Sequence, residues 1–169
     1  MGAYVDCTRP AELRSGEVRG TITVTGPAVL RPMDIEPDWV PGLVDEIPAW
    51  AVVASAASGV SRLRGAEELR VKESDRLSVL AEGLRALGVQ VEEFPDGLDI
   101  HGGPIGGGLV RAHGDHRIAM AFAVLGTRAA SPVTVDDASC IATSYPGFVD
   151  DLRSVGGVVD ETQAGGEAE

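Results

Sequence analysis

Three short strings hold most of the side chains able to move a proton or grip an anion. Leu69 to Arg76 reads LRVKESDR and sets Lys72, Glu73 and Arg76 within five positions; Lys72 is the only lysine of the chain. Asp115-His116-Arg117 puts a carboxylate, an imidazole and a guanidinium side by side, and Asp45 stands just ahead of Ile47-Pro48. Guanidinium forks fit phosphate and carboxylate groups with paired hydrogen bonds. Glu73 and His116 are of the types that transfer protons in general acid–base catalysis, and Asp45 adds a further carboxylate. The set suits a reaction on a small, multiply anionic substrate, with proton transfer to and from carbon or oxygen.

Each residue also has a plainer reading. Arg70, Lys72, Glu73, Asp75 and Arg76 suit a solvated helix start. Asp45 and Asp115 suit N-terminal caps, the favoured role of Asp ahead of a helix. Asp75 is placed for the helix dipole and is read as structural. His116 fits a hydrogen-bonded buried histidine as well as an acid or base, and His101 and His113 carry no signal.

The elements that must position these groups follow from the apolar spacing. Ile47 to Ala57 (IPAWAVVASAA) and Ile118 to Ala130 (IAMAFAVLGTRAA) are apolar nearly all round, as buried helices are. Ser74 to Leu87 reads as an amphipathic helix closed by Gly88. Tyr145 to Val155 reads as a further helix with Pro146 in its first turn. Strands are expected at Thr21–Thr25, Val60–Arg64, Val89–Phe94, Leu98–His101 and Pro132–Asp136, with a start at Val158-Val159 and a turn at Asp96-Gly97. Residues 1–20 are polar, residues 26–44 are proline-rich loop or short edge strand, and 102–108 is a glycine-rich loop. The pattern repeats: Asp115 lies 70 positions after Asp45, and Lys72 and Thr143 occupy similar offsets in the two units. Two such units point helix N-termini, which attract anions, toward a common cleft from Asp45, Lys72–Arg76, Asp115–Arg117 and Thr143–Tyr145.

Composition narrows the class. A chain of 169 residues, 44% hydrophobic and 4% aromatic, builds its core from alanine, valine and leucine. A net charge of −12 argues against general nucleic-acid binding, but arginines focused in a cleft can still hold a small anion. No apolar run has spanning length and the N-terminus lacks a signal-peptide pattern, so a cytoplasmic location with no membrane association is expected. Cys7 and Cys140 are expected as two reduced thiols without metal-ligand spacing.

The strings LRVKESDR, DHRIAMAF and TSYPGF, in this order after DEIP, resemble the C-terminal part of the 5-enolpyruvylshikimate-3-phosphate synthases, in their glyphosate-tolerant bacterial form. The likeness covers roughly residues 20–159. It implies an α/β fold, an inside-out barrel of repeated βαβαββ units around buried helices, with about two units present. The enzyme part would run over 1–160, and a disordered acidic tail over 161–169. It implies transfer of enolpyruvyl from phosphoenolpyruvate to the 5-hydroxyl of shikimate 3-phosphate, with no metal or organic cofactor, and glyphosate as inhibitor. By position, Asp45 resembles the base on the 5-hydroxyl, Lys72 the contact to the shikimate phosphate substrate, and Glu73 the proton shuttle at the phosphoenolpyruvate methylene. Arg76 and Arg117 resemble the clamps on its carboxylate and phosphate, and His116 the histidine beside them.

Two departures bear on activity. Thr143 stands where many members carry a lysine, and the family's N-terminal half has no counterpart here. The chain is accordingly expected to be inactive, or nearly so, by itself, or to be one half of a split enzyme completed by a partner chain. Kinship with the enolpyruvyl transferases acting on UDP-N-acetylglucosamine is the remaining alternative, against which the KESDR and DHRIAM strings count. Apolar faces left bare by a missing unit would favour association.

Overall fold

The computed structural model describes residues 1–8 and 20–161. The expected tail lies, from residue 162 on, outside the described residues.

Among the described residues, seven strands and five helices follow one another. β1 (Tyr4–Thr8) pairs antiparallel with β2 (Thr21–Thr25). β1 falls inside the segment read from sequence as merely polar. A ribbon exposed on both faces leaves no burial pattern to read, and Ile22 is 68% exposed. The proline-rich stretch holds a 3-10 turn at Pro37–Trp39 and α1 (Val40–Leu43).

The first repeat unit is built on α2 (Ile47–Ser55), with Pro48 in its first turn as expected and seven of nine residues buried. β3 (Gly59–Leu63) follows, then a 3-10 turn at Glu67–Val71 and α3 (Arg76–Ala86). β4 (Gln90–Phe94) and β5 (Gly97–Gly102) close the unit as a hairpin. The sheet order is β3-β5-β4, all antiparallel, with Ser61 and Val91 both opposite Ile100. The side chains of Leu63, Leu98, Ile100 and Val91 on this sheet are buried with those of α2 and α3.

The second unit starts with β6 (Gly108–Arg111), a strand the glycine-rich run conceals. It continues through α4 (His116–Gly126), β7 (Val133–Asp136), a 3-10 turn at Ala138–Thr143 and α5 (Phe148–Ser154). β6 and β7 pair in parallel across α4. In the same way Ile35, ahead of α2, bridges in parallel to Leu63 of β3. The repeat is therefore structural as well as numerical.

Three expectations shift. α3 begins at Arg76 rather than Ser74, because the Asp75 carboxylate accepts a hydrogen bond from the Ser78 N–H and so caps the helix there. α5 begins only after Gly147, with Pro146 in the preceding turn. Val158-Val159 forms no strand: Val158 is 95% exposed and no strand lies beside it among the described residues. α4 buries Ile118, Ala119, Ala121, Phe122 and Leu125 but leaves Val124 46% exposed, since nothing described covers that face.

The core runs between α2, α3, α4 and the three-stranded sheet. α3 and α4 meet where Gly83 faces the Phe122 ring; a Cβ at Gly83 would lie 2.5 Å from the ring Cζ. The bulkiest fully buried side chain is not apolar. It is Arg76.

Candidate functional site

Arg76 opens α3 and points inward against the starts of α2 and α4. Its three nitrogens each meet a different carboxylate. Nε donates to Asp115 Oδ2 at 2.8 Å, Nη1 to Asp45 Oδ1 at 3.2 Å, and Nη2 to Glu73 Oε2 at 2.6 Å. A guanidinium taken out of water needs this company, because an unpaired buried charge costs several kcal/mol. Burial by itself would pull the Arg76 pKa down; the hydrogen bond and charge of Asp115 and the charge of Glu73 reverse that and hold it above its ordinary value.

Asp115 is buried too. It caps α4, where Oδ1 accepts from the Arg117 and Ile118 N–H groups at 3.0 and 3.4 Å. Its Oδ2 takes Arg76 and the Ser74 hydroxyl, the latter at 3.2 Å. Desolvation pushes its carboxyl upward, but the hydrogen bond and charge of Arg76, with the two main-chain donors, bring it below the ordinary value. Asp45, by contrast, caps nothing: the N-cap position of α2 is Glu46, without a side-chain bond. Asp45 instead receives Arg117, whose Nη1 donates to the Asp45 carbonyl at 3.0 Å while Nη2 lies 3.2 Å from Oδ2.

Three of the four expected helix starts are thus tied by direct bonds, across 31 positions from Asp45 to Arg76 and 39 from Arg76 to Asp115. Asp45, Glu73, Arg76 and Arg117 form one connected array, with Asp45 and Glu73 about half exposed and Arg117 37% exposed. Lys72 is exposed beside Glu73 and makes no ion pair among the described residues. His116 is half-buried at the start of α4, with no side-chain hydrogen bond among the described residues. The fourth segment stays apart. Its 3-10 turn rests on α4 through buried Ile141, and the Thr143 hydroxyl is spent on the Cys140 carbonyl.

The resemblance implies a substrate clamp at Arg76, and the sequence pattern suits Asp115 as an N-terminal cap. The structure shows Arg76 fully engaged and Asp115 as both cap and ion-pair partner. Ser74, not singled out from sequence, joins the same carboxylate. The one available signal for Asp115 was its place ahead of an apolar helix, which a simple cap explains equally well. Among the described residues no group of three or more His, Cys, Asp or Glu side chains is arranged to hold a metal ion. The three carboxylates that converge do so around a guanidinium.

The chain as a whole is similar to known proteins. A model of the family described as EPSP synthase (3-phosphoshikimate 1-carboxyvinyltransferase) matches residues 1–152. The chain belongs to the EPSP synthase family. It is 52% identical over 148 residues to a 3-phosphoshikimate 1-carboxyvinyltransferase of Xanthomonas oryzae pv. oryzae and 55% identical to that of Xanthomonas euvesicatoria pv. vesicatoria. In both cases the match covers 88% of this chain and 33% of the relative, so the chain spans about a third of the length of these EPSP synthases. An EPSP synthase structure from Acinetobacter baumannii superposes with a TM-score of 0.85 at 36% identity, over 94% of this chain and 38% of that one. The enolpyruvyl transferase NikO from Streptomyces tendae shares the fold alone, at 20% identity and a TM-score of 0.71, over 98% of this chain and 35% of that one. The inside-out α/β architecture expected from the sequence is that of the EPSP synthase family, present here in part.

Proposed function

We propose that this chain forms one wall of an enolpyruvyl transfer site, joining phosphoenolpyruvate to the 5-hydroxyl of shikimate 3-phosphate with release of phosphate. The observation that carries the reading is the single array in which Arg76 gathers Asp45, Glu73 and Asp115 from three helix starts, within a chain of the EPSP synthase family.

Asp45 takes the proton of the 5-hydroxyl as its oxygen bonds to C2 of phosphoenolpyruvate, and Glu73 supplies a proton to C3. The adduct then loses phosphate and the C3 proton, leaving the enolpyruvyl ether. Lys72 faces the phosphate of shikimate 3-phosphate. Arg117 and Arg76 face the anionic groups of phosphoenolpyruvate, and His116 borders them. For Arg76 to reach an anion, Asp45 or Glu73 must give up its bond, and their half exposure lets them turn toward solvent. Glyphosate, itself anionic, competes for the same cations. The setting is cytoplasmic; among the described residues no helix is long and apolar enough to cross a membrane.

The wall works in an assembly with the rest of a synthase, in one polypeptide or two. Exposed Tyr4, Val5, Ile22 and Val24 on the β1–β2 ribbon, and Val124 on α4, support that reading. The test is phosphate release from both substrates, by the chain alone and mixed with the N-terminal two-thirds of the Xanthomonas oryzae relative. Turnover is expected only in the mixture, and Glu73→Gln is expected to lower it by about 100-fold or more. Turnover by the mixture that Glu73→Gln and Asp45→Asn leave intact sinks the assignment, and robust turnover by the chain alone sinks the need for an assembly.

A further inference from the structure

A second guanidinium, outside the array around Arg76, uses every nitrogen on structure. Arg70 Nε donates to the Pro95 carbonyl at 2.8 Å, and Nη2 to Glu93 Oε1 at 3.0 Å and the Phe94 carbonyl at 2.7 Å. Nη1 meets both Asp75 oxygens, at 2.8 and 3.1 Å, and Ser78 Oγ at 3.2 Å. Nη1 has two protons for these three acceptors, so one proton is shared. The Ser78 hydroxyl donates a hydrogen bond to Glu93 Oε1 at 2.8 Å and so has a lone pair free for Arg70. Asp75 at the same time caps α3. The 3-10 turn, the first turn of α3 and the tip of the β4–β5 hairpin are thereby riveted at one point.

The rivet sits at both ends of the segment that bears Lys72 and Glu73. Arg70 fixes the residue before it and Asp75 the residue after it. Between them Val71 is 83% exposed, and the amides of Glu73 and Ser74 donate no hydrogen bond among the described residues. The conformation of this segment rests on its anchored ends and on the two side-chain bonds of Glu73 and Ser74. We propose that Arg70, through Asp75, Ser78 and Glu93, is a positioning residue that holds Lys72 and Glu73 toward the site. It touches no substrate. A lysine cannot replace it, because one ammonium cannot span acceptors on three elements.

The absence of any other lysine gives a direct readout, since labelling with 15N-lysine yields one amide signal, that of Lys72. The wild-type order parameter is expected near ~0.85, falling below ~0.6 in Arg70→Gln and Arg70→Met, with a smaller fall in Glu93→Gln. The indole N–H of Trp50, bonded to the Met33 carbonyl, reports separately that the fold is kept. An unchanged Lys72 order parameter in folded Arg70→Gln overturns the proposal. Loss of the Trp50 signal in all three variants assigns the network to global stability and overturns it equally. The catalytic arm rests on the enolpyruvyl reading. In the complemented assembly, Arg70→Lys should lower kcat and raise the KM for shikimate 3-phosphate, together about tenfold in kcat/KM; a loss in kcat alone, as from a smaller folded fraction, speaks against positioning. The Lys72 measurement needs no substrate, so the two readings fail separately.

Discussion

Arg76 Nε and Asp115 Oδ2 lie 2.8 Å apart with both side chains fully out of solvent, joining the first turn of α3 to the first turn of α4. The pair organises the site around a charge that cannot be left alone. It also sets apart the residues that hold the site together from those that are free to act.

Asp115→Asn isolates the ion pair from the cap, because Asn caps a helix about as well as Asp. What is lost is the anion facing a buried guanidinium. A destabilisation of about 3–5 kcal/mol is expected, read as a shift of the urea midpoint with unchanged slope. A shift corresponding to under ~1 kcal/mol means that Asp45 and Glu73 suffice for Arg76.

The same carboxylate gives the fold an acid limit. Its folded pKa is lowered, so its contribution is present in full above the unfolded value of about 3.9 and is lost as pH falls through that value toward the folded one. Unfolding free energy measured from pH 6 to pH 2 should drop below about pH 4, and the drop should shrink in Asp115→Asn.

Lys72→Met is expected to behave in the opposite manner. The side chain is exposed and unpaired among the described residues, so stability should stay within about 0.5 kcal/mol. Binding of shikimate 3-phosphate by the complemented assembly, followed by calorimetry, should weaken by about tenfold, the loss of one charge-assisted contact. Equal binding by the variant removes Lys72 from the phosphate subsite.

Gly83→Ala tests the contact of α3 with α4. Alanine favours a helix over glycine by about 1 kcal/mol, but its Cβ would sit 2.5 Å from the buried Phe122 ring. Overpacking of about 1–3 kcal/mol outweighs that gain. A lower thermal midpoint is expected, and a raised one would mean that the ring can shift.

Much of the scaffold could be read directly. The apolar runs before Ala57 and Ala130 marked α2 and α4, because a helix without a polar face has to be buried. The Asp96-Gly97 turn and the Gly88 end of α3, where φ is +84°, followed from local backbone chemistry. The strands that escaped were β1 and β6. One is exposed on both faces, and the other opens inside a run of glycines, so neither carries a period.

Residue types and their spacing are enough to show which side chains can do chemistry, which helices must be buried, and that two units repeat. Those properties are local, or depend on spacing along one element. Tertiary structure decided how the charges are used. Arg76 and Arg117 look alike as neighbours of a helix start, yet one is buried among three carboxylates while the other keeps an exposed edge. Asp45 and Asp115 hold matching places in the repeat, yet only Asp115 caps its helix. The difference comes from burial and from partners 31 and 39 positions away, which no pattern along a single stretch of chain contains.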